Sequence, residues 1–467
     1  MIIQMDRGIY HQIIIGIVCN LLIIDCGLQE GWPTPNLPKL SNNETSINLT
    51  TDDESFVINL FYIGLGIGGL APILMMDTIG RKLSLLIAGI PKIMSWILIG
   101  IATNNYHIYI GRLLAGISCG ISYSILPMYI GEISMEKTRG KLGTLFALSI
   151  NFGVLLMLTI GLFISRFTMS MFALVTPLIF IMTFIWLPES PVFLIRKNYN
   201  DNAIKAVKWS YGKDNIDDEM DEIKKIVTCE NETINNGLLL SFKNSIKTNT
   251  TKRSFFIMFI LCGLLGLTGG ASIFSYQVKI FDKAGLDIGT NFSIILTGLS
   301  IVIGGTACVT IVKYAGKRKI LLIATPIAGL SMFLLSIFFT LLENNINVYW
   351  FNWLPTFCIV IFAIIYGIAF NSVPYAYLGE IFTFEVKVIA GIFSSIYYSI
   401  SNVATVKMFQ VLSDNYGMFV PFWIFTINIF VIWILVYFFV PETEGKSLSE
   451  IQIMLNNETL KKKKTNV

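Results

Sequence analysis

The chain has 467 residues, of which 54% are hydrophobic and only 14% charged, with a formal net charge of +4. A soluble protein of this size needs more charge to cover its surface, so a water-soluble globular domain is excluded and a chain embedded in lipid is indicated. The net charge alone says little about partners, but its distribution along the chain says more.

Apolar runs of about 20 residues recur along nearly the whole length, long enough to cross a hydrocarbon core of about 30 Å as helices. Twelve are predicted, near 10–31, 56–76, 83–103, 106–130, 142–164, 166–187, 255–281, 289–312, 320–342, 350–378, 388–411 and 417–440. The first lacks a small-residue cleavage pattern and runs on through Asp25 and Gln29, so it reads as a retained span and not a signal peptide. Residues 33–55, rich in Pro, Asn, Ser, Thr and Asp, form a first outer loop with glycosylation sequons at Asn43 and Asn48. Residues 188–253 divide the spans six and six. Within them, 201–209 and 217–228 carry Ile204, Val207, Met220, Ile223, Ile226 and Val227 at helical spacing. These stretches read as short helices lying on the inner face, the alternative being a solvated linker. With the N-terminus inside, most of the 34 Lys and Arg fall in the inner segments, including the 188–253 loop and Lys461 to Lys464. That bias places both termini in the cytoplasm. The expected organisation is therefore an N-terminal six-helix bundle over 1–187, a cytoplasmic linker over 188–253, a C-terminal bundle over 254–441 and a cytoplasmic tail over 442–467.

One loop signature is written twice, in the same order. Asp77-Thr-Ile-Gly80-Arg81-Lys82 has a degraded partner at Lys313-Tyr-Ala-Gly316-Lys317-Arg318-Lys319. Pro127-Met-Tyr129-Ile-Gly-Glu132-Ile133 reappears as Pro374-Tyr375-Ala-Tyr377-Leu-Gly-Glu380-Ile381, and Pro188-Glu189-Ser190 as Pro441-Glu442-Thr443. Duplicated halves with charged loops between apolar runs mark an alternating-access transporter. Gly80 supplies a tight turn, since glycine accepts left-handed backbone angles without penalty. Asp77, Arg81, Glu132 and Arg139 alternate in sign at the inner helix ends, with Glu132 and Arg139 as the natural partners of the Asp77 loop. Glu189, Lys317, Glu380, Lys387 and Glu442 supply the rest of the network. Opposite charges there can hold that side shut and must part when it opens. The alternative is plain topology anchoring.

The seven cysteines are scattered and form no Cys-x-x-Cys pair, so neither a metal nor a redox site is expected. There is no phosphate-binding glycine loop and no Ser/His/Asp constellation, so neither an enzyme nor an ATP-driven pump is expected, and no cofactor. The expected partners are a small-molecule substrate and the lipid bilayer, with no nucleic acid, and the chain is read as a monomer.

The combination of DTIGRK, GRLLAGISCG (111–120), PMYIGEISMEKTRG, PESP (188–191) and PETEGKSLSEI (441–451) resembles the signature set of the sugar porter family of the major facilitator superfamily. Gly31-Trp-Pro-Thr-Pro-Asn-Leu-Pro38, Asn151-Phe152-Gly153 and Tyr276-x-Val-x-Ile280-Phe281 are most similar to insect facilitated trehalose transporters. The resemblance implies an all-α membrane protein with twelve helices in two pseudo-symmetric bundles, the major facilitator fold. It also implies a sugar bound between the bundles at mid-depth.

The sugar-contacting positions of that family are poorly matched. The glutamine pair of the seventh helix falls on Leu265-Gly266, its Ile-Asn on Gly270-Ala271, the fifth-helix glutamine on Ala147, the eighth-helix asparagine on Ile301 and the eleventh-helix asparagine on Tyr398. An unpaired hydroxyl in an apolar pocket costs roughly 1–3 kcal/mol, so replacements are needed. Candidates are Asn151, Thr268, Tyr276, Gln277, Asn371, Tyr375, Tyr397 and Asn402, each of which could equally bond helix to helix. Lys313 stands where the family has an acid and Lys387 where it has an Arg. Proton-driven relatives carry an Asp at the position of Pro33, which favours facilitated diffusion of a hexose or trehalose. Yet Asp25, Glu30 and Lys92 lie in or near spans, and intramembrane ionisable groups are functional candidates. Asp25 is either a coupling site, a partner of Lys92 or a group in a wet vestibule. Three other readings stay open: a non-transporting sugar sensor, a proton-coupled carrier, and a carrier of a solute other than sugar. The side chains lining the cavity at mid-depth discriminate among them.

Overall fold

In the computed structural model the described residues are 7–41, 47, 49–235, 248–286, 289–382, 384–446 and 450–456. Twelve helices are long and apolar enough to cross a membrane. They are α1 Arg7–Ser41, α2 Thr51–Met75, α3 Arg81–Gly100, α4 Asn105–Ile133, α5 Leu142–Ile160, α6 Arg166–Phe184, α7 Asn249–Ser275, α8 Thr290–Val312, α9 Lys317–Glu343, α10 Tyr349–Ile381, α11 Val386–Asn415 and α12 Phe419–Phe439. No β-strand occurs among the described residues.

The element boundaries follow local chemistry. Residues 33–41, read from sequence as the start of a loop, are instead helical. Pro33 occupies the first turn of Pro33–Ser41, where a missing N–H is harmless. The second span starts at Thr51, five residues earlier than expected. Thr50 and Asp53 cap each other there, with Asp53 N–H to Thr50 Oγ1 at 3.2 Å and Thr50 N–H to Asp53 Oδ2 at 3.0 Å. Gly80 (φ +87°) and Gly316 (φ +79°) turn the chain from α2 into α3 and from α8 into α9. Asn43 and Asn48 lie outside the described residues.

Helices α1–α6 form one bundle and α7–α12 the other. In the first, α2 lies on α4 and α1 on α5 so closely that only glycine fits. A Cβ on Gly116 would come within 2.0 Å of the Phe61 carbonyl oxygen, and one on Gly27 within 2.1 Å of that of Ile150. Within lipid, where the hydrophobic effect does not drive helices together, such close backbone packing supplies the attraction. Both bundles contain interrupted helices: the first span breaks at Trp32 and the second at Gly69–Leu70, and two spans of the second bundle are broken as well. The seventh breaks at Gly269 (φ +83°) and continues as Gln277–Ala284, and the tenth carries a π-helical turn over Tyr366–Phe370 just before Pro374. Both kinds of break free backbone groups and change a helix's direction near a cavity.

Between the bundles, helices Pro191–Arg196, Asn200–Tyr211 and Asp217–Asn235 share an apolar cluster centred on Ala203, Val207, Met220 and Ile223. They dock on the start of α1. His11 stacks on Trp209 with ring centroids 4.5 Å apart, and the Gln12 amide donates to the Ser210 carbonyl at 2.9 Å. The tail returns to the same face, where the Gln452 amide donates to the Ile381 carbonyl at 2.8 Å. The start of α1 and the segment around Gln452 thus lie on one face, termed the terminal face below.

Candidate functional site: a central cavity between two charged helix ends

On the terminal face the two copies of the loop signature build matching arrangements. Glu189 accepts from the backbone N–H groups of Arg81 (3.1 Å) and Lys82 (3.0 Å), and so caps the first turn of α3. Glu442 does the same for α9 through Lys317 (3.1 Å) and Arg318 (3.0 Å). A carboxylate there satisfies orphan donors and meets the positive end of the helix dipole. The Tyr129 hydroxyl donates to the Pro188 carbonyl and the Tyr377 hydroxyl to the Pro441 carbonyl, both at 2.7 Å. Arg81 reaches Glu132 through Nη2 (3.0 Å) and Nε (3.3 Å), while Ser190 holds the other carboxylate oxygen. Lys317 reaches Glu380 at 2.8 Å and also Glu444. Asp77 pairs with Arg196 of the linker at 2.5 Å, because the short helix Pro191–Arg196 brings a cation close. Lys387 donates to the Gly379 carbonyl at 3.3 Å, and the side chain of Arg139 falls outside the described residues. These contacts each stay within one bundle, or between a bundle and the linker or tail that follows it.

On the opposite face the bundles touch. Lys407 of α11 pairs with Asp52 of α2 at 2.7 Å, and the Thr34 hydroxyl of α1 donates to the Phe274 carbonyl of α7 at 2.5 Å. Ser395 of α11 lies against Gly69 of α2, so close that a Cβ on Gly69 would fall 2.2 Å from the serine hydroxyl. Towards the terminal face the bundles part. A Cβ added to Gly131, Gly143, Gly379 or Gly391 would meet nothing within 4 Å.

Between these two regions lies a cavity enclosing about 710 Å³, part of it open to solvent. The first bundle contributes Glu30, Thr34, Tyr62, Tyr123 and Asn151, and the second Ser275, Tyr366, Asn371, Tyr375 and Tyr398. The apolar remainder includes Ile150, Val154, Leu158, Phe274 and Ile301. A mostly apolar wall with a few aimed polar groups, at the seam of two bundles, is the usual form of a small-molecule site. Asn371 donates to Asn151 Oδ1 at 3.1 Å and Asn151 to the Ile301 carbonyl at 3.5 Å, so amides bridge the bundles across the cavity.

Of the eight substrate-contact candidates, Asn151, Asn371 and Tyr375 line this cavity and the other five do not. The Thr268 hydroxyl donates to the Leu264 carbonyl of its own helix at 2.9 Å. Tyr276 stacks on Phe409 at 5.3 Å, and Tyr397 packs between Phe259 and Phe393. Asn402 bonds to the Tyr398 carbonyl at 2.8 Å. Gln277 is fully buried in the segment after the break in α7, with both amide atoms unpartnered among the described residues. The breaks at Gly269 and Tyr366–Phe370 rotate the following residues away from where an unbroken helix would put them. Reading by candidate side chain missed Tyr62, Tyr123 and Tyr366, whereas Tyr398 stands at a position where the family's pattern has a sugar-contacting asparagine. Glu30 was visible as an ionisable group inside a span.

Asp25 is not in the cavity. It is fully buried behind α1, where Oδ2 lies 3.2 Å from Lys92 Nζ and Oδ1 accepts from Trp96 (2.8 Å) and Thr176 (2.9 Å). One carboxylate thereby joins α1, α3 and α6. Of the two local alternatives, pairing with Lys92 and a wet vestibule, the structure has the first.

Two bundles of six helices around a cavity, closed on one face and parted on the other, define a transporter of the major facilitator class and not an enzyme. The sequence pattern of the family described as "Sugar (and other) transporter" matches residues 23–455, and the chain belongs to that family. It is 27% identical to the facilitated trehalose transporter Tret1 of Bombyx mori over 453 residues, covering 96% of this chain and 88% of the relative. It is 28% identical to trehalose transporter 1 of Drosophila melanogaster over 449 residues, covering 95% of this chain but only 52% of that one. The fold is similar to that of the proton:xylose symporter XylE bound to 6-bromo-6-deoxy-D-glucose (TM-score 0.78, 20% identity, 96% of this chain and 100% of that one). It is also similar to the inward open conformation of XylE from E. coli (TM-score 0.74, 18% identity, 94% and 99%).

Proposed function

We propose that this protein carries a small sugar, a hexose or trehalose, down its gradient across the plasma membrane. The terminal face is the cytoplasmic one, and residues 1–187 and 254–441 rock against each other about the cavity. The observation that carries this reading is the cavity itself. It takes polar side chains from both bundles and is sealed on the opposite face by non-covalent contacts that a rocking motion can break. The names of the insect relatives favour trehalose as the first sugar to try. The position of Asp25, outside the cavity and paired with Lys92, favours uniport over coupling at that residue. Asp77, Arg81, Glu132, Arg139, Glu189, Lys317, Glu380, Lys387 and Glu442 then form the ends that meet when the cytoplasmic side closes.

The test is uptake of labelled glucose and trehalose into proteoliposomes holding the purified chain. The expected result is saturable flux of at least one sugar, unchanged by an inward proton gradient. Binding without flux would replace the carrier with a sensor. Stimulation by the gradient that disappears in Asp25→Asn would replace uniport with symport.

A further inference from the structure

The cavity carries one formal charge, and the transport of neutral sugar leaves it unexplained. Glu30 lines the cavity from α1. Its one hydrogen-bond partner among the described residues is the Tyr123 hydroxyl, at 2.9 Å from Oε1, and no described cation pairs with it. No Lys, Arg or His lines the cavity beside it. The two nearby cations are engaged elsewhere. Lys92 faces Asp25, and Arg112 is 1% exposed. The Arg112 guanidinium donates to the Gln29 carbonyl at 2.8 Å and lies over the rings of Trp32 (5.1 Å) and Phe61 (4.6 Å). Five tyrosines, at 62, 123, 366, 375 and 398, complete the polar wall around Glu30.

A carboxylate taken from bulk water into a site of this kind is costly unless a cation or a proton offsets it. Tyrosine faces add negative potential, the feature by which aromatic cages hold ammonium groups. Two asparagines and tyrosine hydroxyls remain for hydroxyl recognition. Resting on the sugar-carrier reading above, we infer that the cavity prefers a polyhydroxylated solute bearing a protonated amine, an amino sugar, with Glu30 as the counter-ion and the surrounding tyrosines as its cage. A neutral sugar still binds by donating a hydroxyl to Glu30, but it forgoes the ion pair and the contacts of the cation with the rings.

The experiment compares three sugars of one ring type in proteoliposomes at neutral pH: labelled glucose, glucosamine, whose amine is then largely protonated, and N-acetylglucosamine, in which it is neutral. Glucosamine is expected to compete at a concentration about tenfold lower than either neutral sugar, the scale of one desolvated cation contact. Glu30→Gln is expected to bring that ratio close to one, and Tyr123→Phe, which keeps the ring, to leave it largely in place. Should Glu30→Gln fail to reach the membrane, the ratio in the unaltered protein still decides. Equal competition by all three overturns the inference while leaving the sugar carrier intact. It is overturned equally if an inward proton gradient drives neutral sugar and Glu30→Gln abolishes that drive, since Glu30 is then a proton site. Flux of glucosamine without flux of either neutral sugar supports it and narrows the carrier reading to amines. Flux and binding of none of the three overturns the inference, and the carrier reading falls with it only if trehalose is not carried either.

Discussion

In the first bundle Arg81 grips Glu132 through two N–H groups, Asp77 is tied to Arg196, and Asp25 and Lys92 are sealed together in the core. In the second, Lys317 stands in the place of Arg81 and divides itself between Glu380 and Glu444. The elements common to both are the capping glutamates and the tyrosine hydroxyls that hold the two Pro carbonyls. A lysine is a point charge without the planar fork of an arginine, and a second acid keeps its charge occupied without fixing its direction. Glu444 thus restores the attraction although not the geometry. The difference teaches that the first bundle ties its inner helix ends with a directed ion pair, where the second relies on a shared point charge.

The sharpest way to break this comparison is inside the first bundle. Lys92→Met leaves Asp25 buried without its cation, and a loss of about 3–5 kcal/mol is expected, read as a large fall in the thermal unfolding temperature in detergent. Adding Asp25→Leu should recover most of that loss, because the buried charge is then gone. A single variant that unfolds with the parent would show that the pair does not hold the bundle. Next come the matched cations. Glu132 is 19% exposed, whereas Glu380 and Glu444 are 34% and 33% exposed, so water screens the second network more. Arg81→Ala should therefore cost about 2 kcal/mol and Lys317→Ala about 1 kcal/mol. Equal losses would erase the contrast. The smallest effect is expected where the bundles agree. Glu189→Gln and Glu442→Gln each keep an acceptor and lose the charge at a helix start, so each should cost about 0.5–1 kcal/mol, and by the same amount.

The twelve spans were legible because a run of about 20 apolar residues has few other stable fates. Runs expected near 106–130 and 289–312 became Asn105–Ile133 and Thr290–Val312. The capping glutamates were legible as part of the doubled signature. The cavity was much less so. A helix in lipid is apolar on the side facing lipid and on the side facing its neighbours, so periodicity does not tell which residues look inward. Thr268 and Tyr397 were reasonable choices by residue type, yet one sits just before a helix break and the other packs among aromatic rings. The Asp77–Arg196 pair joins residues from a membrane loop and the linker, which no local pattern connects.

The amide bridge from Asn371 to Asn151, and on towards the Ile301 carbonyl, has a kinetic consequence. These groups are already satisfied when nothing is bound, so a solute arriving between them exchanges one partner for another. The net gain per hydrogen bond is then small, about 1 kcal/mol or less. Occupancy will track the solute's concentration over a wide range, and departure will be assisted by the bridge closing behind it. A carrier arranged in this way trades tight retention for rapid turnover.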